Sequence, residues 1–449
     1  MVRAREAEVS RSASRFCIGT TSMWASPSTP RMIASTSETA ARMFQRFCLR
    51  AAMAARADRL SVRGRWLGGT VVLLLAMAAA KASIPAPSGP ATQASGAAPP
   101  PLLLGQSAPF SGPSGQLGQE YRQGAEAWFA EVNRRGGIHG RPIRLVSRDD
   151  RYEPELTLRN TRQLLEQDRV LALFGYVGTP TSKAVLPLVE QERVPFVAPL
   201  SGAQALRQPL RATVFHLRAG YQAEIDQLVA ALVRDARHRI AVLAQNDAFG
   251  DDGLAASEQA LARHGLKPVA TARVERNSSQ VGVAVARIAR ARPSGVIIIA
   301  AYPGSAAFSR ELRRRRSPAQ LMNVSFVGTR GLQDALPGGE ASGIGITQVV
   351  PFPWNRRLPV VADYQRLMQR RSPMASFSFT SLEGFLAARM VTEGLARAGP
   401  RPSREALMRG LESIRQLNLG GFALDLGPKD REASTFTDLT FLGAQRWEP

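Results

Sequence analysis

Cysteine is almost missing from this chain. The 449 residues hold two, Cys17 and Cys48, and both precede Met53. From Met53 onward there is no thiol, so disulfides, cysteine metal sites and thiol catalysis are excluded there, and stability must come from core burial. Histidine is scarce as well. His139, His216, His238 and His264 lie scattered, with no H-E-x-x-H spacing. No G-x-S-x-G elbow and no G-x-x-x-x-G-K-[ST] loop occurs. The acid pairs Asp149-Asp150 and Asp251-Asp252 stand at loop or helix starts, where capping accounts for them. The chain therefore reads as a non-enzyme that needs neither metal nor cofactor. Aromatics make up only 6% of it, and none is interleaved with a basic run as single-strand binding requires. Nucleic acid is not an expected partner. Acid is in deficit, with 36 Asp and Glu against 58 Lys and Arg, a formal charge of +22. Part of that excess sits in the first eighty-odd residues, and the rest reads as general surface solvation.

No apolar run reaches the roughly 20 residues that a membrane span needs. The one that comes nearest is Leu67–Ala80. It follows the basic leader Arg56, Arg59, Arg63 and Arg65, and precedes the small-x-small triplet Ala80-Lys81-Ala82. That order is the mark of a secretory signal peptide, cleaved near Ala82, which places the mature protein in the periplasm. The alternative is an uncleaved anchor. Residues 1–52 make little sense ahead of such a segment. They are expected to be non-native or disordered, with translation starting at Met53. The stretch 83–101, "SIPAPSGPATQASGAAPPP", is a linker with too little apolar surface to fold.

From Leu102 onward, short apolar runs alternate with amphipathic ones. "LLLGQSAPF", "IRLVSRDD", "VLALFG" and "VPFVAPL" read as strands, separated by helices. The series resumes after a break near Arg218, with helix 221–235, strand "RIAVLAQ", helix 252–264, strand "KPVATARV", helix 279–291 and strand "GVIIIAA". Such alternation predicts α/β architecture: parallel sheets covered on both faces, in two doubly wound lobes. Ligands of these sheets bind beyond the carboxyl ends of the strands. Two such ends stand out. In "LALFGYVGTPTSKAVLPL" a buried strand gives way to Gly175, Gly178, Thr179, Thr181 and Ser182 before a helix whose first NH groups lack partners. That corner suits a carboxylate, or it is an ordinary cap. "VPFVAPLSGAQAL" repeats the logic with Leu200, Ser201 and Gly202.

Three stretches together resemble a known family: "GQSAPFSGPSGQLGQEYRQGAEAWFAEVNRRGGIHGRPIRLVSRDD", "FGYVGTPTS" and "IAVLAQNDAFGDDGL". They are similar to the type I periplasmic binding proteins of ABC transporters, in the branched-chain and hydrophobic amino-acid branch. The resemblance covers 102–449. It implies two lobes joined by a three-crossing hinge, lobe 1 at 102–220 and 351–424, lobe 2 at 221–350 and 425–449. A monomer would close on a small-molecule ligand and dock on an ABC permease in the membrane. A ligand sensor on the same lobes, acting on a signalling partner, is the alternative.

The resemblance also implies site residues. The serine that holds the ligand carboxylate aligns with Thr179, beside Gly178. A P-A-A-T segment aligns with Pro199-Leu200-Ser201-Gly202, so one threonine hydroxyl is lost at Gly202. The lobe-2 tyrosine aligns with Tyr302, an aromatic over the ligand with Phe249, and an aromatic of the first loop with Leu117. Tyr221 falls at the first crossing. Phe379 either reaches the cleft or packs in the core, and Thr380 with Glu383 reads as a capping box. Where the amino-acid binders carry an acid to pair with the ligand ammonium, this chain has Arg330. A cation there would repel an ammonium in a dehydrated cleft. If Arg330 faces inward, the expected ligand is a carboxylate without an amine; the alternative is a solvated loop residue.

Overall fold

The computed structural model describes residues 99–443. The signal segment, the extension ahead of it, both cysteines and most of the linker lie outside the described residues. Two sheets carry the architecture. The first contains β1 (Leu102–Ala108), β2 (Ile143–Asp149), β3 (Ala172–Phe174), β4 (Phe196–Val197) and β5 (Val214–Phe215), all parallel, in the order β2-β1-β3-β4-β5. Its helices α1 (Gly115–Arg134), α2 (Pro154–Glu166) and α3 (Thr179–Gln191) alternate with the strands.

The second sheet holds β6 (Ile240–Gln245), β7 (Thr271–Val274), β8 (Gly295–Ile299), β9 (Gln320–Asn323) and β10 (Gly345–Gln348), with helices α4 (Tyr221–Arg234), α5 (Ala248–Ala262), α6 (Gly282–Arg290), α7 (Tyr302–Arg314) and α8 (Thr329–Ala335) between them. The chain then returns to the first lobe as α9 (Pro359–Arg371), α10 (Phe379–Arg397), α11 (Arg404–Glu412) and a small ladder, β11 (Leu417–Asn418) with β12 (Ala423–Leu424). Last comes β13 (Asp438–Phe441), antiparallel to β10 at the edge of the second sheet, whose order is β13-β10-β9-β8-β6-β7. This is the two-lobe α/β fold that the alternation predicts.

Both faces of the second sheet are buried, as an apolar parallel strand requires. Along β8, Ile297 and Ile299 join the larger core, while Val296 and Ile298 face a second core under α6 and α7. The larger core runs without a break from the first sheet to one face of the second. Helix α5 begins at Ala248, ahead of the expected 252, because the Asp247 carboxylate accepts the backbone N–H groups of Phe249 and Gly250. Helix α10 is capped by Ser378 and Ser381, which bond each other's backbone N–H, and not by Thr380 and Glu383. The helix starts two residues earlier than that pairing needs, and Glu383 is buried. Residues 425–433 also differ from expectation. His216 bridges Glu432 in parallel, and Ala433 N–H donates to His216 O, so this stretch satisfies the open edge of β5. The third crossing follows Ala433.

Helices α1 and α10 meet backbone to backbone. A Cβ on Gly124 would lie 1.7 Å from Ser381 O, and one on Gly384 would lie 2.0 Å from Tyr121 O. Trp128 flanks the contact, edge-on to Phe385 and donating to Thr392 Oγ1 at 2.9 Å. Gly384→Val is expected to destabilise the protein by about 1–3 kcal/mol or more, because no flexible side chain can yield there. A urea melt with an unshifted midpoint would show that the helices do not touch in this way.

Candidate functional site

Strands β3 and β4 are neighbours, in register at Leu173 and Phe196, and the pairing extends to a bridge between Val177 and Leu200. The two polar corners therefore lie side by side. Thr179 Oγ1 and Ser201 Oγ are 2.8 Å apart, and both residues are fully buried. Gly178 occupies the cap position at φ +100°, and a Cβ on it would strike Tyr152 Cε2 at 2.1 Å. Thr179 is thus the first residue of α3, where the opening amides have no partner inside the helix. Thr181 donates back to Val177 O at 2.5 Å and so serves the turn. Gly202 makes room for Tyr221: a Cβ there would stand 2.5 Å from Tyr221 Cδ1. The Tyr221 backbone N–H donates to Gly202 O at 2.7 Å, and burial pushes the Tyr221 phenol up to about 12.

An aromatic chain crosses from these corners to the second sheet. Phe249 lies 5.2 Å from Tyr221 and 4.8 Å from Phe326, ring centre to ring centre, and Phe326 lies 5.9 Å from Tyr152. Gln245 Nε2 donates to the Tyr152 hydroxyl at 3.3 Å. Leu117, at the start of α1, packs against Gly328. With Leu200, Ser325, Phe326, Phe379 and Glu383 it encloses a cavity of about 10 Å³, the size of one water. Across the rim, Arg276 Nη2 donates to Glu153 at 2.7 Å and Ser114 Oγ to Asn277 Oδ1 at 2.8 Å. The lobes stand closed.

The remaining expected residues form a second group. Tyr302, half-buried at the start of α7, packs against Gly331 of α8. Arg330 lies on α8 with its side chain 34% exposed, its Nε 3.6 Å from Asp334 and 4.0 Å from Glu120. It lines a hollow of about 360 Å³ with Trp354, Phe377 and Phe379. Phe379 belongs to both spaces. Arg330 therefore stands at the hollow between α8 and residues 369–379, and the cation enclosed beside the small cavity is a different one.

That cation is Arg218, in the first crossing. Its side chain is 1% exposed. Nη2 donates to Glu224 Oε1 at 3.0 Å and to Ser325 Oγ. Burial opposes its charge, but Glu383 and Glu224 outweigh that and hold its pKa above the ordinary arginine value. Glu224 also accepts Ser325 N–H at 2.7 Å and Thr347 Oγ1–H at 2.8 Å. Glu383 reaches Arg218 Nη1 only at 3.7 Å, and burial pushes its carboxyl up to about 7. Tyr152, Phe326, Arg218 and Glu383 were not legible as site residues. The one local sign is the left-handed backbone of Tyr152, φ +64°, which no residue pattern reports. Among the described residues no group of His, Cys, Asp and Glu could hold a metal, and no helix is long and apolar enough to cross a membrane. Glu224→Ala would strand Arg218 in the core and is expected to cost about 3–5 kcal/mol; chemical denaturation measures it, and a loss under about 1 kcal/mol would contradict the burial of this pair.

Known proteins match this geometry. The sequence profile of the periplasmic binding protein family fits residues 101–440. A solved structure of a possible leucine/isoleucine/valine-binding protein from Rhodopirellula baltica is 34% identical, with a TM-score of 0.73, covering 76% of this chain and 94% of that one. A Leu/Ile/Val-binding protein homolog 3 from Brucella melitensis is 24% identical over 69% of this chain and 83% of its own length. An amino acid binding protein from Pseudomonas aeruginosa is 22% identical over 53% of this chain, and the match spans 64% of that relative.

Proposed function

The chain belongs to the type I periplasmic binding protein family, in its Leu/Ile/Val-binding branch, whose members are binding proteins and not enzymes, and from that premise we propose that it captures a small carboxylate-bearing solute between its lobes, outside the cytoplasm, and as a monomer hands it to an ABC permease. The observation that carries this reading is the pairing of the Thr179 and Ser201 corners at adjacent strand ends, facing Phe249 and Phe326 of the other lobe.

The chemistry runs as follows. The opening amides of α3 and the paired hydroxyls offer hydrogen-bond donors to a carboxylate, and the helix start favours negative charge. Around them lie Leu117, Leu200, Tyr221 and Phe249, apolar surface for a short side chain or ring. A cavity of about 10 Å³ admits no whole solute. Binding therefore requires the lobes to part about the crossings at Arg218–Gly220, near Val350 and after Ala433, and then to close on the ligand. The hollow beside Arg330 is the way in, since Phe379 lines both spaces, and its guanidinium draws anions toward the mouth.

A thermal-shift panel of leucine, 4-methylpentanoate and benzoate on the full chain tests the reading. At least one acid should raise the melting temperature; at a hundredfold excess over its Kd the gain is about 2.7 kcal/mol. Thr179→Val, which removes one hydroxyl of the pair, should weaken that acid about tenfold, near 1.4 kcal/mol. A panel that leaves the melting temperature unmoved, or a variant that binds as well as the parent, would overturn it.

A further inference from the structure

Glu383 lies in the wall of the enclosed cavity, and among the described residues its carboxyl is held only by a long ion pair to Arg218. Its side chain is 6% exposed and faces Leu117, Leu200 and Phe326. Among the described residues, its carboxyl takes no hydrogen bond, and its nearest cation, Arg218 Nη1, stands 3.7 Å away. Arg218 Nη1 and Nε likewise have no hydrogen-bond acceptor among the described residues. A buried carboxylate left this way is costly, because it has lost water and gained no full partner.

The local charge is also unbalanced. One guanidinium, Arg218, is shared by two carboxyls, Glu224 and Glu383. Glu224 has the better claim, with three partners within 3.0 Å. The other groups near Glu383 do not supply a free cation: Arg207 is paired with Glu432 at 3.2 Å, and Tyr121 is neutral and donates to Ala198 O at 2.8 Å. Fully ionised, the cluster of Arg218, Glu224 and Glu383 carries one negative charge too many.

We infer that Glu383 is a specificity-determining residue of the cleft, the group that accepts a protonated amine of the solute. The inference rests on the cleft reading above. It replaces the acid that position 330 lacks with one from the opposite lobe. Arg330 on α8 leans toward Asp334 and Glu120 instead, so it does not repel an amine at the inner corners. An ammonium beside Glu383 would restore neutrality and fill the water-sized space. The carboxyl's position near pH 7 without a ligand follows from the same burial. An amine would pull it down, so binding at pH 7 should release protons.

Calorimetry on the full chain, with leucine and its amine-free analogue 4-methylpentanoate, decides the matter. The parent protein should bind leucine at least thirtyfold tighter. In buffers of different ionisation enthalpy, leucine should show proton release at pH 7, and its affinity should fall as the pH drops from 7 to 5.5. Glu383→Gln keeps the shape and removes the charge. It should cut the leucine preference below about threefold and abolish the proton release. The 4-methylpentanoate titration also reports whether the variant is folded. Equal binding of both acids by the parent, or an unchanged preference in Glu383→Gln, would overturn the role of Glu383 while the cleft reading stands. Binding of neither acid by the parent would overturn the role of Glu383, and if benzoate fails as well the cleft reading falls with it.

Discussion

Arg218 is a fully buried cation at the place where the chain first leaves one sheet for the other, and the closed arrangement of the lobes depends on how it is held. A guanidinium taken out of water needs close partners. It finds Glu224 on the helix that opens the second lobe, Ser325 at the end of β9, and Glu383 on a helix of the first lobe. The crossing, both lobes and the cavity wall are thereby tied to one charge. Glu224 is held rigidly by the backbone of Ser325 and the hydroxyl of Thr347. Glu383 is held loosely. That asymmetry makes Glu383 the weaker of the two carboxylate contacts to Arg218.

Around this charge the structure spends glycine where backbones or rings must come close. Gly202 admits Tyr221, Gly328 admits Leu117, and Gly124 and Gly384 let α1 and α10 touch. The result is a cleft whose walls are aromatic and whose polar groups are few and directed. Phe249 and Phe326 come from the second lobe, Tyr152 from the loop after β2, and Tyr221 from the first crossing. A cleft walled this way excludes water when shut, which strengthens each remaining polar contact.

Much of this was legible beforehand. Apolar runs such as "GVIIIAA" and "RIAVLAQ" can only be strands buried on both faces, and their alternation with helices forces parallel pairing. The corner at Thr179 was legible because glycine and hydroxyl residues between a strand and a helix have few other uses. Side-chain partnerships were not legible. The capping of α10 by Ser378 and Ser381, against Thr380 and Glu383, turned on a shift of two residues, and local pattern does not resolve helix ends that finely.

The sequence by itself determined the order of strands and helices, the division into two sheets, and the two polar strand ends, because these depend on periodicity and on backbone geometry within a few residues. Tertiary structure alone decided that Arg218 is enclosed while Arg330 stands at a hollow, that residues 425–433 close the edge of the first sheet, and that Glu383 faces the cavity. Each of those turns on contacts between residues tens to hundreds of positions apart. Burial of an arginine or a glutamate leaves no trace in its neighbours along the chain.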